Sequence, residues 1–532
     1  MISAHKFGGP IGIGALLVRD YAMLEPIGGH ERGYRQGTDT EQFRGILMTK
    51  FRPIQGLTIG VNTTVQLDSS GQTLYWQGYF PDTLQNINGE DSLITGGALT
   101  PTDDAGGFRK QYRTLIAVDP SIKYLSGDGS LFWYRGRFLR NANTTSTDQS
   151  SANQLYYNDF IYQRNLAENI SWITGATYTH SVANGDSLFG GRHAMDQVGL
   201  YTQVDAKFGK FNAMAGYRYE WVKTDEDDPL TRGTMRVGLN YEIVKGTNVR
   251  ASFGQGFRVP SLAERFAATS GGAIVVQPNP NIRAESGYSA EIGLRQAYLI
   301  DRGDTRMFGY VDVAAYRMRF EDMIEFGLGE VSIGSTPDGG LAASAQFASI
   351  NVADAQITGL EITTLNEWRL GKKWRVSLSG GLNWLDPLNL NSVPAEQQLN
   401  LSSFPDSLLQ ILIDLGNPNL VDQPPTLKYR SRFTAKTSLS VGYSRFSLTA
   451  NYRYRSEIEA IDQFLYLVVN DLGYFRRTHT SRQVMDLIGS YNINRFATLS
   501  LVVDNIWNEE YTIVPGFLAP QRKATMQLVL KF

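Results

Sequence analysis

Apolar and polar residues alternate with a period of two along most of this 532-residue chain. In residues 211–221, one parity ends in Tyr217, Tyr219 and Trp221, whereas the other carries Arg218 and Glu220. The same alternation recurs in residues 235–243, 446–455, 485–493 and 524–532. Successive side chains of a strand point to opposite faces of a sheet, so this period predicts β-strands. An apolar stripe that ends in aromatic residues, opposite a charged stripe, is typical of strands with one face in lipid.

The alternation predicts about 20 strands joined by connections that alternate between short and long. Short turns at one end and long loops at the other are typical of outer-membrane barrels, with the short turns in the periplasm. We therefore predict an all-β fold, a large antiparallel transmembrane β-barrel with about 20 strands. The long connections are 21–40, 70–108, 259–284, 326–344, 387–425 and 458–480, and residues 408–415 of the fifth have the spacing of a short amphipathic helix. The predicted strands lie near 8–20, 41–53, 56–69, 109–125, 127–142, 152–165, 168–180, 192–208, 210–223, 231–244, 247–258, 285–299, 305–325, 345–369, 373–386, 426–441, 443–457, 481–493, 495–507 and 520–532.

Composition excludes several other classes of protein. The chain has no cysteine, which excludes disulfides, thiol catalysis and cysteine-based zinc sites. Its net charge of -2 argues against nucleic-acid binding, and no apolar run is long enough for a transmembrane helix. The 5 histidines lack ligand spacing, and no nucleophile or phosphate-binding motif is visible. We therefore expect no metal site, no cofactor and no enzymatic activity.

Four segments resemble motifs of TonB-dependent outer-membrane receptors, and they occur in the order found in that family. Residues 250–262 read RASFGQGFRVPSL and are similar to the family's G-F/Y-R-x-P-S-L segment. Residues 279–293, 357–361 and 503–511 resemble its N-P-N-L-x-x-E…E-x-G, I-x-G-x-E and N-L-F-N…Y segments. We interpret the matching residues as positions that build the barrel. They are Gly256, Phe257, Arg258, Pro260, Ser261, Leu262, Asn279, Pro280, Asn281, Glu285, Glu291, Gly359, Glu361 and Asn505, together with the terminal aromatic Phe532, which resembles an assembly signal of such barrels.

The resemblance implies that residues 1–532 form a receptor-like barrel domain. In the family, such a barrel encloses a plug domain and is energised by the TonB complex. No signal peptide, TonB-binding box or plug is visible in this sequence. The resemblance implies a barrel of 22 strands, of which about 20 are present, so we expect an N-terminally truncated receptor without a plug domain and with about two strands missing. In that case the TonB complex would act through the missing N-terminal region.

Two groups of residues are candidates for ligand binding. Aromatic side chains in the long connection 70–108 are stacking platforms for a ligand, or they belong to the upper aromatic girdle of the barrel. These residues are Tyr75, Trp76, Tyr79 and Phe80. Arg218 and Arg453 lie on the charged parity, where they bind an acidic ligand or pair with neighbouring glutamates and plug residues.

The resemblance implies an outer-membrane receptor of a Gram-negative cell that imports a scarce nutrient. The first candidate is a ferric siderophore, followed by cobalamin, haem or an oligosaccharide. We expect a monomeric barrel in contact with outer-membrane lipid and no nucleic acid. Two alternatives remain open. One is a passive, plugless channel of the porin class, and the other is a non-functional fragment whose unpaired strand edges would be costly in lipid.

Overall fold

The computed structural model describes residues 2–3, 13–16, 40–73, 84–85, 91–92, 108–145, 149–271, 274–335, 341–351, 354–390, 426–460, 481–509, 511–514, 517–518 and 522–530. Most of these residues lie in strands, and two short helices, α1 (Asp186–Phe189) and α2 (Leu262–Phe266), interrupt them. No helix within these ranges has the length and apolar composition needed to cross a membrane. The strands are β1 (Ile2–Ser3), β2 (Ile13–Leu16), β3 (Thr40–Phe51), β4 (Leu57–Thr73), β5 (Leu84–Gln85), β6 (Asp91–Ser92), β7 (Phe108–Leu125), β8 (Leu131–Thr145), β9 (Ser151–Ala167), β10 (Ile170–Gly185), β11 (Gly191–Phe208), β12 (Phe211–Thr224), β13 (Leu230–Val244), β14 (Thr247–Arg258), β15 (Thr269–Gly271), β16 (Ile274–Val276), β17 (Glu285–Arg302), β18 (Thr305–Glu321), β19 (Ile324–Ser335), β20 (Leu341–Asn351), β21 (Ala355–Leu370), β22 (Trp374–Asn389), β23 (Phe433–Tyr443), β24 (Phe446–Arg455), β25 (Arg482–Asn492), β26 (Ala497–Asp504), β27 (Thr512–Val514), β28 (Phe517–Leu518) and β29 (Lys523–Leu530).

One antiparallel sheet of 21 strands contains most of the described chain. Its strands follow one another in sequence order, from β1–β4 through β7–β14, β17, β18 and β21–β26 to β29. Within the described ranges, β1 and β29 stand at the two ends of this meander with one partner strand each. Apart from the short β1 and β2, the sheet contains 19 long strands, and each overlaps a predicted one. The predicted all-β, antiparallel architecture is confirmed.

Several predicted strand boundaries are wrong; for example, β10 extends to Gly185, beyond the predicted 180, and β23 begins at Phe433, after the predicted 426. The predictions 305–325 and 345–369 ran too far, because β18 ends at Glu321 and β21 begins at Ala355. Between them, β19 and β20 form a hairpin, and β20 also pairs in parallel with β16. Asp322 adopts a φ of +52°, and this left-handed conformation cannot continue a strand. The alternation of apolar and polar residues did not reveal where β18 ends, because the strands of the hairpin have the same period of two as the long strands. The amphipathic helix predicted at 408–415 lies outside the described residues. Of the predicted connection 387–425, the structure describes only residues 387–390, and β22 extends to Asn389.

The two faces of the long sheet differ strongly in polarity. On one face of β13, Met235, Leu239 and Tyr241 expose 43, 42 and 48% of their surface, and on the other lie Arg236 and Asn240. Large exposed apolar side chains recur along the other long strands. Such a surface is unfavourable in water but is solvated by lipid. We therefore assign the apolar face to lipid and the charged face to the lumen.

The connections at the two ends of the long strands differ in length. Two-residue turns join β11 to β12, β13 to β14 and β17 to β18, with Gly209, Gly246 and Gly303 at φ values of +58, +87 and +58°. Glycine adopts these left-handed angles without the steric cost of a Cβ atom. At the other end, the sequence separations between neighbouring strands are much longer, with residues 259–284 between β14 and β17, 322–354 between β18 and β21, and 390–432 between β22 and β23. The short turns mark the periplasmic end of the barrel and the long connections mark the extracellular end.

The turn between β7 and β8 is organised by Asp128. Its carboxylate accepts hydrogen bonds from the hydroxyl of Ser126 and, at 3.1 Å each, from the backbone N–H and the hydroxyl of Ser130. These hydrogen bonds, the one from Ser126 first, lower the pKa of Asp128 from 3.8 to about 2. The folded turn therefore favours the ionised carboxylate.

This lowered pKa predicts how the turn responds to acid. A carboxyl group whose pKa is depressed by folding stabilises the fold above its ordinary pKa, and that contribution is lost as the pH falls through the folded value. We expect the hydrogen-exchange protection of the Ser130 amide to be constant above pH 4 and to fall between about 4 and about 2. In Asp128→Asn the protection should lack this step. Full protection of the original turn at pH 2 would contradict the prediction.

Candidate functional site

Arg258, the last residue of β14, joins three segments at the extracellular rim. Its Nε donates a hydrogen bond to Glu285 Oε1 at 2.9 Å, and its Nη1 donates to Glu264 Oε1 at 2.8 Å. The other oxygen of Glu285 accepts the backbone N–H of Ile324, the first residue of β19, at 2.8 Å. We call Arg258, Glu264 and Glu285 the rim clasp. Charge-assisted hydrogen bonds of this kind are strong and directional, so the clasp fixes the starting points of two long extracellular connections.

The helix α2 begins with a capping box that belongs to the rim clasp. The Glu264 N–H donates to Ser261 Oγ at 3.2 Å, and the Ser261 N–H donates to Glu264 Oε2 at 2.8 Å. Burial tends to raise the pKa of Glu264, but the hydrogen bonds from Ser261 and Arg258 outweigh it and hold the pKa below its ordinary value. Glu264 is therefore a stable anionic partner for Arg258.

Ring stacking, an ion pair and apolar packing fix α2 on the extracellular ends of neighbouring strands. The ring of Phe266 stacks on His193 of β11 with 3.7 Å between ring centroids. Arg265 binds Asp227 at 2.6 Å and donates to the Pro280 carbonyl at 2.7 Å. Beneath the helix lies a buried cluster made of Ala183, Phe189, Met195, Val222 and Leu262. The segment after β14 is thus folded against β10–β12.

The same connection is tied to the extracellular hairpin. Asn279 Nδ2 donates to the Ser349 carbonyl of β20 at 2.9 Å. The Arg283 N–H donates to Asn351 Oδ1 at 2.8 Å, and Asn351 Nδ2 donates back to the Arg283 carbonyl at 2.9 Å. Residues 274–276 add the parallel β16–β20 pairing. The connections after β14 and β18 therefore form one hydrogen-bonded surface at the extracellular mouth.

The luminal wall contains a buried carboxylate, Asp159 of β9. Asp159 is 1% exposed and accepts hydrogen bonds from Arg135 Nη2 and, at 2.9 Å, from the Tyr201 hydroxyl. A Cβ at Gly175 would lie 2.5 Å from Cζ of Tyr201. Because Gly175 has no side chain, the Tyr201 ring lies against the wall and reaches Asp159.

Arg218 of β12 lies next to Asp159 and its partner Tyr201. Its Nε donates to Glu220 Oε1 at 2.7 Å, and its Nη2 donates to Thr177 Oγ1 at 2.9 Å. A Cβ at Gly199 would lie 2.2 Å from Arg218 Nη2, so glycine is required for the guanidinium to occupy this place. The side chain lies along the wall with a carboxylate partner, and part of its surface still faces the lumen.

A second ionised group crosses three strands closer to the periplasmic end. Arg250 of β14 donates to Glu291 Oε1 of β17 at 2.9 Å and to Asp312 Oδ2 of β18 at 2.7 Å. Gly293 lies beside it, where a Cβ would meet Arg250 Cζ at 2.6 Å. Charged side chains thus line the lumen over several strands, and they are paired within the wall itself.

Asn505, which follows β26, shapes the end of its strand. It is 3% exposed and adopts a φ of +49°. Its N–H donates to Asp486 Oδ1 at 2.9 Å, and its side chain closes a loop on the carbonyl and N–H of Glu509. Asp486 also accepts from Arg453 Nη2 at 2.9 Å. One carboxylate therefore links the luminal Arg453 to this turn.

Residues 27–506 match the family described as TonB dependent receptor-like, beta-barrel. The chain belongs to this family of TonB-dependent receptors. Its members are receptors and transporters of the Gram-negative outer membrane. The resemblance carried by the four sequence motifs is confirmed.

Two curated relatives are vitamin B12 transporters named BtuB, from two strains of Vibrio vulnificus. The protein of strain YJ016 is 28% identical over 291 residues, which is 54% of this chain and 35% of the relative. The protein of strain CMCP6 is 24% identical over 381 residues, which is 70% of this chain and 49% of the relative. The chain therefore spans at most about half the length of these TonB-dependent relatives.

Solved receptor structures share the fold. The ferric-catecholate import receptor Fiu of E. coli K12 superposes with a TM-score of 0.63 and 12% identity, covering 93% of this chain and 76% of Fiu. The hemophore receptor HasR of Serratia marcescens, solved with its hemophore HasA and heme, gives a TM-score of 0.60 and 11% identity, covering 93% of this chain and 72% of HasR. At such low identity, these matches establish the barrel fold alone.

The structure places most motif positions of this chain in the wall or at the rim. Gly359 lies beneath the Tyr316 ring, since a Cβ there would be 2.3 Å from Cζ, whereas a Cβ at Gly256 would meet nothing within 4 Å. Asn281 and Glu361 are exposed. Pro260 and Leu262 are buried, and Phe257 is half-buried. The candidate ligand contacts Tyr75, Trp76, Tyr79 and Phe80, as well as Phe532, lie outside the described residues and stay predictions.

Sequence reasoning missed several residues that organise the site. Asp159, Asp312 and Asp486 were not singled out, although each accepts hydrogen bonds from a luminal arginine. The alternation predicts which face of the strand each of these carboxylates occupies. Their arginine partners lie on other strands, however, and which residues meet depends on the sheet register. Glu264 was also missed, although the spacing from Ser261 to Glu264 is the S-x-x-E pattern of a capping box. That local signal could have predicted α2.

Proposed function

We propose that this chain forms the wall of an outer-membrane receptor that captures a scarce nutrient outside the cell and imports it with energy from the TonB complex. The main support is the family match over residues 27–506. The geometry agrees with this function, because paired ionised side chains make the lumen hydrophilic and the rim clasp organises the extracellular mouth. The protein supplies binding and a gated path and performs no covalent chemistry.

For the nutrient, we propose a metal chelate. A ferric siderophore is the first candidate, and receptors for such ligands share this fold. Cobalamin is the second candidate, because the curated relatives are vitamin B12 transporters. Arg218 and Arg453 remain proposed contacts for an acidic ligand. Each of these arginines already has a carboxylate partner in the wall, so a ligand would bind the guanidinium N–H groups that this partner does not use.

Uptake assays test the proposal directly. The complete gene product would be expressed in a Gram-negative host that lacks its own receptors for iron chelates and cobalamin. We expect accumulation of either a radiolabelled ferric siderophore or radiolabelled cyanocobalamin, and a fall to background in a strain without TonB. Uptake that persists without TonB, together with a large constant conductance in planar bilayers, would favour the passive channel instead.

A further inference from the structure

Arg317 and Arg319 lie on the lipid-facing side of β18. Residues two apart on a strand share a face. Val311, which is 43% exposed, shares the face of these arginines, whereas Asp312 lies on the luminal face with Arg250. The two arginines are therefore cations on the outer surface of the barrel.

The neighbours of Arg317 confirm this side of the sheet. In the register, Arg317 stands between Ala290 of β17 and Thr358 of β21. The next row toward the membrane centre holds Ile292 and Leu360, which are exposed apolar side chains. Arg317 thus stands directly above the apolar stripe that faces lipid.

The height of Arg317 corresponds to the lipid headgroups of the outer leaflet. Arg317 lies twelve residues from Thr305, the first residue after the periplasmic turn. At about 3.3 Å per residue and a tilt of about 40°, this is about 30 Å above the turn, just beyond an apolar band about 25 Å tall. On the same outer surface, Tyr288 stacks on Phe253 with ring centroids 5.8 Å apart, and Trp384 is 43% exposed. Such aromatic residues mark the membrane–water boundary.

The positive charge of Arg317 and Arg319 is incompletely neutralised by neighbouring carboxylates. Arg317 Nη2 donates to the neutral amide oxygen of Gln356 at 2.5 Å, and no carboxylate of the described ranges forms an ion pair with it. Arg319 has one contact with Asp354, at 3.3 Å. Glu321 lies further from the membrane than both arginines. By contrast, the luminal Arg250 holds two carboxylates.

We propose that Arg317 and Arg319 bind the phosphate of a phosphorylated lipid headgroup in the outer leaflet. A guanidinium presents a planar fork of donors that matches phosphate oxygens, and both side chains keep donors that their protein partners leave free. This site is separate from the lumen and the mouth. The inference rests on the proposed outer-membrane location.

Native mass spectrometry of the full chain in detergent micelles tests this site, with lipid A as the probe. We expect lipid A to remain bound to the unmodified protein and phosphatidylcholine to be lost. The double variant R317Q/R319Q should bind lipid A roughly 10- to 30-fold more weakly, as expected for two juxtamembrane cations. The matched control is Arg232→Gln, which should change nothing. Arg232 lies twelve residues from Val244, at a comparable height, but on the luminal face.

Three results would each overturn the lipid site: equal binding of lipid A by the double variant, equal retention of phosphatidylcholine, or displacement of lipid A by inorganic phosphate. Heat-modifiable migration on gels verifies that the variants are folded. If the double variant fails to fold, the single variant R317Q replaces it, with an expected loss of lipid A binding of roughly fivefold.

Loss of lipid A binding with normal nutrient uptake supports the lipid site independently. Absence of TonB-dependent uptake by the unmodified protein contradicts the proposed function and leaves the lipid measurement valid.

Discussion

Replacing Gly287 with alanine is expected to lower the free energy of unfolding by about 1–3 kcal/mol, the usual cost of overpacking. A Cβ at Gly287 of β17 would lie 2.2 Å from the carbonyl oxygen of Arg319 and 3.2 Å from Cα of Phe320. Both obstacles are backbone atoms of β18, so the two strands would have to move apart. Urea titration of the protein folded in lipid vesicles measures the change.

Gly256→Ala is the matched control for this prediction. Gly256 of β14 is the direct cross-strand partner of Gly287, but a Cβ there would meet nothing within 4 Å. We expect its effect to stay within about 0.5 kcal/mol. If both variants lose the same stability, the effect comes from the general properties of glycine in a strand, and the argument from the backbone of β18 fails.

Removing the Glu285 carboxylate from the rim clasp is expected to loosen the extracellular mouth. Glu285→Ala leaves Arg258 with one anionic partner and leaves the Ile324 N–H without its acceptor. The loss of these hydrogen bonds should cost roughly 1–3 kcal/mol locally. Hydrogen exchange should therefore become about tenfold to a hundredfold faster at the Ile324 amide and in α2, while the transmembrane strands keep their protection.

Two further variants separate charge from shape at this position. Glu285→Gln keeps an acceptor for the Ile324 N–H but loses the ion pair, so we expect an intermediate increase in exchange. Glu361→Ala removes another motif carboxylate, one that is exposed and has no hydrogen bond within the described ranges, and it should leave exchange at the mouth unchanged. Unaltered exchange at Ile324 in Glu285→Ala would refute the clasp.

The long strands were predictable because lipid and water impose opposite requirements on their two faces. Tyr217 and Met235 lie on the lipid-facing parity and Arg218 and Arg236 on the luminal one, as the alternation alone predicted. The receptor family was predictable too, because local motifs such as residues 250–262 preserve their order along the chain. The hairpin of β19 and β20 was not, since its strands carry the same period as the wall.

Partner choice in the site was decided by the tertiary structure. Arg250 and Asp312 are 62 positions apart in sequence, and they meet because β17 brings β14 and β18 into register. The same holds for Arg258 with Glu285, and for Tyr201, which reaches Asp159 only because Gly175 leaves its place open. The sequence by itself determined which face each charged side chain occupies, since that follows from a period of two. Only the sheet register decided which charges meet, because a hydrogen bond depends on distances of a few ångströms between strands that are remote in sequence.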